Sequence, residues 1–354
     1  MTTNNTDIAL PVSTKVHQGF LAVAKQTFPY FLGSLPGMVG KNQGTFTMTW
    51  ESIANLATVT TPLGERTSDA YGQGRTGVDP VVTRVTATLA KYGNVIKHSE
   101  ELDLGQINAR SAQFIVRLGE NAGSTLNELQ RDILDGKTTD LFPGSGTSAA
   151  TVDEALGASS VKVGVRNLGR ASAKKFMAIS DGSTNVGSLP IRDAFFGINH
   201  IDVSVDVRDM TGFVGVEQYA SHAPTAPGEY GYVNGVRWIE TETAPVAANT
   251  STGNGTAQGF VSTGGTDGDV YTTFILGREA HGTISLDATY SSEVYMGEED
   301  VNPVQIIRKS VGSSGIADPL DEVGSVGWKT WWAGQRLNED WIYKIQTLAS
   351  EPTV

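Results

Sequence analysis

Three short motifs in this chain have the residue types for ligand chemistry. Residues 72–77, GQGRTG, match the G-x-G-x-x-G pattern of dinucleotide sites. That pattern requires a buried strand before it and a helix after it, whereas here a polar stretch precedes and Asp79-Pro80 follows. Residues 264–269, GGTDGD, have the composition of a calcium-binding turn, but a single copy favours an ordinary turn. Residues 298–300, EED, fit a solvated loop or a divalent ion shared between subunits.

The residues used most often in catalysis are absent or isolated. The chain has no cysteine, which excludes disulfides, thiolate nucleophiles and cysteine-ligated metals. It contains neither a P-loop nor a G-x-S-x-G nucleophile elbow. No two histidines are three or four residues apart, so a helical metal pair is excluded. We therefore expect no enzyme and no cofactor; the histidines are His17, His98, His200, His222 and His281.

Composition narrows the class of protein. The 354 residues include 41 glycines and only 18% charged residues, which favours an α+β chain with many turns. A net charge of −12 argues against a protein that grips nucleic acid through a basic surface. There is neither a recognisable signal peptide nor a run of 18 apolar residues, so no membrane association is expected.

The elements that would position these residues begin with a polar ribbon over residues 45–97. Thr45, Thr47 and Thr49 alternate strictly with apolar residues, which predicts an outgoing strand. A return strand is predicted over 81–92, and glycines and prolines over 62–80 predict the tip. Arms of about twenty residues would reach roughly 65 Å. Because a lone hairpin with few large apolar residues cannot bury itself, we expect the ribbon to lie on another copy of the chain.

A long helix is predicted next, over residues 100–135. Apolar residues recur every three or four positions through about nine turns, and Gly136 is the expected C-cap. At about 1.5 Å per residue this helix is roughly 50 Å long, more than one small core requires. Before the ribbon, residues 16–28 fit either a short helix on an extended arm or the first helix of a core.

The remaining chain predicts a mixed α/β region. A weaker helix is expected over 152–176, followed by short strands that include HIDVSVDVR (200–208) and GDVYTTFIL (268–276). Residues 245–270 are poor in hydrophobic residues and predict a surface excursion. Two C-terminal strands, 326–337 and 341–348, are expected to form a buried hairpin. They hold four of the six tryptophans, which we expect in a core or a subunit interface: Trp328, Trp331, Trp332 and Trp341.

This order of elements resembles the Hong Kong 97-type (HK97-like) major capsid fold of tailed bacteriophages. Specific segments resemble the major capsid family of the phage N4 type, and the resemblance covers nearly the whole chain from about residue 40. They are TTPLGERTS (60–68), TATLAKYGNVIKHSEEL (86–102), GEYGYVNGVRWIETE (228–242), GREAHG (277–282) and DPLDEVGSVGWKTWWAGQRLNEDWIYKIQ (318–346).

The resemblance implies an α+β, HK97-like division of the chain. It places an N-terminal arm at 1–44, an E-loop hairpin at 45–98 and a peripheral domain with a spine helix at 99–150. An axial domain follows at 151–285, with a surface insert near 245–270, and residues 286–354 return to the peripheral domain as C-terminal strands.

The implied function is a coat protein that assembles into hexamers and pentamers of an icosahedral head around double-stranded DNA, without sequence-specific binding. The partners would be copies of itself and scaffold, decoration and portal proteins. It would be located in the virion, after assembly in the host bacterial cytoplasm.

Two sets of site residues follow. Inter-subunit contacts are expected along the ribbon. A basic patch is expected either to face inward or to lie between subunits; the alternative is that its residues form an ordinary solvated helix face. The ribbon candidates are Trp50, Pro62, Leu63, Glu65, Arg66, Tyr71, Arg75 and Asp79. The patch comprises Lys162, Arg166, Arg170, Lys174 and Lys175.

Some relatives of this fold form a covalent lysine–asparagine bond from the E-loop. No lysine lies between Lys41 and Lys91 in this chain, so no such bond is expected.

Two other functions compete. One is a different β-rich virion protein, such as a tail-tube or receptor-binding subunit; the other is a secreted enzyme or adhesin. The nine-turn helix opposes the first, and the lack of a signal peptide and of a catalytic constellation opposes the second.

Overall fold

The structure, a computed structural model, describes residues 29–39, 45–60, 78–101, 110–176, 193–219, 226–252, 259–286, 304–311, 320 and 322–352, with backbone alone at 110–113 and 286. Within these ranges the chain is mixed α/β, with few helices and many strands. The N-terminal helical pattern at 16–28 lies outside them.

Fourteen strands and three α-helices are defined in the described part of the chain. The strands are β1 (Leu35–Val39), β2 (Thr47–Ile53), β3 (Val82–Thr88), β4 (Ala90–Ser99), β5 (Phe195–His200), β6 (Val214–Gly215), β7 (Glu229–Val233), β8 (Val236–Thr241), β9 (Val246–Ser251), β10 (Gly268–Leu276), β11 (His281–Leu286), β12 (Val304–Lys309), β13 (Val323–Arg336) and β14 (Ile342–Thr347). The helices are α1 (Arg110–Asp135), α2 (Ala158–Arg170) and α3 (Ser204–Arg208). No described helix is both long and apolar enough to cross a membrane.

The first sheet is organised around β13. This 14-residue strand pairs antiparallel with β4, with β12 and with β11, and β1 adds to β11 in parallel. One face of β13 carries Trp328 and Trp332, which pack against the buried stripe of α1. That stripe is Ile115, Leu118, Ala122 and Leu126. The tryptophans predicted in a core or interface are thus core residues at these two positions.

Hydrogen bonds to one side chain of α1 hold the helix against the first sheet. The side-chain oxygen of Asn121 accepts a hydrogen bond from the Trp328 indole nitrogen at 3.1 Å and another from the Asn94 amide at 3.1 Å. One residue of α1 therefore ties together two neighbouring strands.

The second sheet contains seven strands, in the order β14-β10-β5-β8-β7-β6, with β9 also pairing with β10. Helices α2 and α3 cover one side through residues such as Val161, Leu168, Val203 and Val207. A separate cluster of β5, β10 and β14 residues receives Leu134 from the last turn of α1. Helix α1 therefore contacts both sheets.

The helix α1 ends at Asp135 as predicted, but by a different means. Gly136 does not adopt the left-handed conformation of a glycine cap. Instead Arg336 donates to the Ile133 carbonyl at 2.6 Å, and the Lys344 ammonium donates to the Asp135 carbonyl at 2.7 Å. Two cations thus satisfy the negative end of the helix dipole. At the other end Glu100 is helical, and residues 102–109 lie outside the described part.

Three sequence-based predictions in the second half are corrected. The helix expected over 152–176 is only α2, because Val152 and Leu156 are buried in a non-helical segment before it. The segment 200–208, predicted as a strand, forms α3 after His200, since Val203 and Val207 are buried together at helical spacing. Within the predicted surface excursion, β9 is a paired strand, although four of its residues are exposed as expected.

The expected C-terminal hairpin is not formed. Strand β13 belongs to the first sheet, whereas β14 pairs with β10 in the second. The short connection crosses between the sheets and is held by two bonds from Leu337 and Asn338 to the Ala280 carbonyl. The predicted boundary near residue 286 therefore does not coincide with the division between the sheets. Strand β11 lies before it and belongs to the first sheet, whereas β14 lies after it and belongs to the second.

Truncating the buried stripe of α1 should test the packing on β13. Leu126→Ala is expected to lower the free energy of unfolding by about 2–5 kcal/mol, because it leaves a cavity beside Trp328 and Trp332. Val116→Ala, at an exposed position of the same helix, should change it by less than about 0.5 kcal/mol. Urea unfolding followed by tryptophan fluorescence measures both, and equal effects would contradict the packing.

Candidate assembly surface

The ribbon predicted from the sequence is present as a two-stranded sheet of β2 and β3. The register runs from Thr47 opposite Thr88 to Ile53 opposite Val82. A cross-strand hydroxyl contact joins Thr47 and Thr88 at 3.1 Å, and an exposed ion pair joins Arg84 to Glu51 at 2.7 Å. Its paired strands have seven residues each, so the regular part is shorter than expected. The predicted return strand is divided at Leu89, and its second part is β4 of the first sheet.

The base of the ribbon is fixed on its own chain. Met48, Trp50 and Leu89 pack in one cluster with Val39 and Ile284 of β1 and β11. Phe46 stacks on Trp331, with ring centroids 5.1 Å apart and planes 4° apart. Trp50, predicted as an inter-subunit contact, is half-buried in this intrachain cluster. Its role between subunits stays a prediction.

Beyond the base, the ribbon exposes a row of large apolar side chains, which we call the apolar row. Its members have exposed fractions of 44–80% in the isolated chain: Ile53, Leu56, Val59, Val78, Val81 and Val82. Scattered exposed apolar residues are normal, but this many along one projecting segment indicate a surface that another molecule covers. The feature of the sequence that pointed to this surface was a predicted hairpin with too few large apolar residues to bury itself.

The other predicted ribbon contacts are at the tip. Asp79 is described and exposed. The positions Pro62, Leu63, Glu65, Arg66, Tyr71 and Arg75 lie outside the described residues, as does the GQGRTG motif.

The predicted basic patch is only partly assembled. Lys162, Arg166 and Arg170 are exposed at four-residue spacing along α2, so they share one helix face. Lys174 instead pairs with Glu279, and the Lys175 ammonium lies 5.6 Å from the centre of the Phe195 ring. The structure therefore joins three of the five residues and gives the other two separate partners.

Of the three motifs that have the residue types for ligand chemistry, the one that lies in the described residues has a structural role. Asp269, in the GGTDGD segment for which an ordinary turn was favoured, is buried and accepts hydrogen bonds from the backbone nitrogens of Asn249 and Thr263 and from the Thr263 hydroxyl, at 2.6–3.0 Å. These donors satisfy the carboxylate without a metal ion. No group of three or more His, Asp or Glu side chains in the described ranges is arranged to hold a metal. The acidic run at 298–300 lies outside them.

A buried ion pair was missed by the sequence reasoning. Arg237 and Glu229 are neighbours in the β7–β8 hairpin, and their side chains are 5% and 0% exposed. The Arg237 Nε donates to Glu229 at 2.8 Å, and the Tyr219 hydroxyl and Ala226 nitrogen donate to the same carboxylate at 3.0 Å. Burial raises the pKa of Tyr219, which keeps it a neutral donor. The Asn234-Gly235 turn, with both φ angles positive, was the available signal for this hairpin.

The histidines are likewise separated. His200 lies 3.0 Å from the Asp202 carboxylate, and His98 lies beside the Phe114 ring. His281 is completely buried at the start of β11, and burial lowers its pKa to about 4. His17 and His222 fall outside the described residues.

Comparison with known proteins identifies the fold. No protein-family model and no curated protein matches the chain. Solved capsid structures do match. The capsid of Ralstonia phage GP4 is 12% identical, with a TM-score of 0.59 over 93% of both chains. The capsid of cyanophage P-SCSP1u is 12% identical, with a TM-score of 0.56 over 90% of this chain and 87% of that one. The head of Helicobacter pylori bacteriophage KHP40 is 9% identical, with a TM-score of 0.56 over 92% and 91%. The chain thus shares a fold with phage capsid chains.

Acidification should destabilise the subunit through His281. Its pKa is about 4 when folded and 6.5 when unfolded, so the unfolded chain binds more protons between these pH values. The free energy of unfolding should therefore fall by roughly 3 kcal/mol from this group as the pH drops from 6.5 to 4. His281→Gln removes this contribution, so urea unfolding of the variant should show a shallower loss. Parallel pH profiles for the two proteins would refute it.

Proposed function

We propose that this protein is the major capsid protein of a tailed bacteriophage and assembles with copies of itself into the shell of the head. The observation that carries this proposal is the exposed apolar row on a ribbon whose base packs on its own chain. A monomeric protein gains nothing by exposing these side chains, whereas a subunit buries them when it contacts its neighbour. The fold shared with capsid chains over nearly the whole length supports the same conclusion.

In finer detail, we infer an HK97-like subunit. The two-stranded ribbon would be the E-loop, α1 the spine helix and the first sheet the peripheral domain. The second sheet with α2 and α3 would be the axial domain, and residues 1–44 the N-terminal arm. The distributed segments quoted from the sequence favour the phage N4-type branch of these proteins.

The proposed assembly comprises hexamers and pentamers of an icosahedral shell around double-stranded DNA. Burying one large apolar side chain stabilises by about 1.5–3 kcal/mol, so each ribbon contact is modest after the cost of association. A closed lattice repeats the contact in every subunit, and the sum becomes large. The net charge of −12 suits a container that does not bind its nucleic acid tightly. Scaffold, decoration and portal proteins would be its partners in the virion and during assembly in the host cytoplasm. Its role would be structural, without catalysis.

Electron microscopy of the overexpressed protein tests the proposal. Closed shells or hexameric rings are expected, whereas long tubes would indicate a tail-tube protein and uniform monomers would refute assembly. A double variant, Val59→Asp with Val81→Asp, should abolish assembly because it places charges in the apolar row. The matched change Val246→Asp, on an exposed strand of the second sheet, should leave both shells and the urea midpoint nearly unchanged.

The shell should be held together without covalent bonds from the ribbon. Since no lysine lies between Lys41 and Lys91, denaturing electrophoresis of assembled particles should give one band near 37.5 kDa. A ladder of multiples of that mass, resistant to boiling, would contradict this expectation.

A further inference from the structure

Packing on the second sheet fixes the direction in which α2 presents its polar side. Val161, Gly164 and Leu168 are buried at spacings of three or four residues, so they form the side that faces the sheet. Gly164 lies so close that a methyl group in place of its hydrogen would be 2.8 Å from the Tyr343 ring. Because this close contact leaves no room for rotation, the opposite side of α2 is held toward the surface.

The opposite side of α2 carries three cations, which we call the α2 cations: Lys162, Arg166 and Arg170. All three are exposed, and their four-residue spacing places them on one helix face over about 12 Å. Ser159 and Gly169 are exposed on the same helix. The structure describes α2 throughout, and no large apolar side chain of this helix is exposed.

The charge of the α2 cations is not compensated nearby. The chain has 38 acidic residues, yet none occurs between positions 155 and 180. In the described part of the chain, none of the α2 cations forms an ion pair with a carboxylate. Asp140 and Arg166 both act electrostatically on Tyr343, but the Asp140 carboxylate already pairs with Lys137. The α2 cations are therefore free positive charge in a chain whose net charge is −12.

The composition of this face favours phosphate groups over a protein partner. Interfaces between subunits bury an apolar core, which the apolar row of the ribbon can supply and the exposed face of α2 cannot. That face instead offers guanidinium, ammonium and hydroxyl donors, the groups that contact the phosphates of nucleic acids. One strand of a DNA duplex has a phosphate about every 3.4 Å along the axis, so the row of cations spans three or four phosphates.

We propose that the α2 cations form a contact site for the phosphate backbone of double-stranded DNA on the inner surface of the shell. The site reads no sequence, because phosphates carry no sequence information. Three charges in each subunit hold the duplex weakly, and the acidic remainder of the chain disfavours contact elsewhere. This inference rests on the proposed shell assembly and adds which residues of the subunit meet the enclosed DNA.

Three full-length proteins test the site. They are the unmodified chain, a variant with the α2 cations changed to glutamine, and a control with three exposed lysines of the first sheet changed to glutamine. The control positions are Lys91, Lys97 and Lys309, so both variants lose the same charge. Urea unfolding should give similar midpoints for all three proteins, because every changed position is exposed. Dispersed subunits are then titrated into a short fluorescent duplex, and anisotropy measures the affinity at several salt concentrations.

The unmodified chain and the control should lose affinity for the duplex roughly 40-fold between 50 and 200 mM salt, as expected for about three phosphate contacts. The variant without the α2 cations should lose most of this salt dependence. Two duplexes of different sequence should bind alike. An unmodified chain without salt-dependent binding, or equal effects in the variant and the control, would overturn the proposal.

Shells assembled in the presence of the duplex distinguish an inner surface from a subunit interface. The variant without the α2 cations should form shells but enclose less nuclease-resistant DNA per shell than the control does. If this variant is folded but forms no shells, the α2 cations contact a neighbouring subunit and the nucleic-acid assignment is wrong. Equal amounts of enclosed DNA would also overturn it. If the unmodified chain binds the duplex through α2 but forms no shells, the proposed function fails while the phosphate site stands.

Discussion

The structure depends on the packing of α1 against β13. Strand β13 pairs with three other strands of the first sheet, and its two inward tryptophans lie on the apolar stripe of the helix. Asn121 joins Trp328 and Asn94 by hydrogen bonds, so the helix fixes the strands as well as covering them. At 26 residues, α1 is about 39 Å long. That length lets its last turn reach the second sheet through Leu134.

This arrangement explains why the ribbon is left uncovered. One helix face is used for the first sheet, and the β1–β11 end of that sheet is used for the ribbon base. What remains of β2, β3 and the adjoining segments has no described intrachain surface to cover it, and the apolar row is exposed as a result. The fixed base sets the direction of the ribbon, while the exposed row supplies the contact. A rigid module with a projecting, incompletely buried hairpin is suited to repeated contact with identical neighbours.

Much of this architecture could be predicted from the sequence because it depends on local periodicity. The alternation around Thr47 and the three-to-four spacing around Leu118 identified the ribbon and α1. The nonlocal features could not be read in this way. Whether β14 pairs with β13 or with β10 depends on contacts between distant segments, and the neighbouring positions in sequence suggested the wrong answer. The segment around Val205 was misassigned because its valines fit both a strand and one turn of helix.

The candidate site shows the same difference between features set by local periodicity and features set by contacts between distant segments. The lack of apolar partners in the ribbon was visible from composition, and the spacing of Lys162, Arg166 and Arg170 gave their common helix face. The Arg237–Glu229 pair was not visible, since it joins residues through strand register. Trp50 was predicted as an inter-subunit contact; the structure shows it half-buried in a cluster of its own chain, and its role between subunits stays a prediction.

The central claim is that the ribbon is completed by a neighbouring subunit. Hydrogen–deuterium exchange on free subunits and on assembled particles measures this directly. Backbone amides of β2 and β3 should exchange more slowly after assembly, while amides in the middle of α1, already buried in the subunit, should change little. Unchanged exchange along both strands of the ribbon in intact particles would contradict the account.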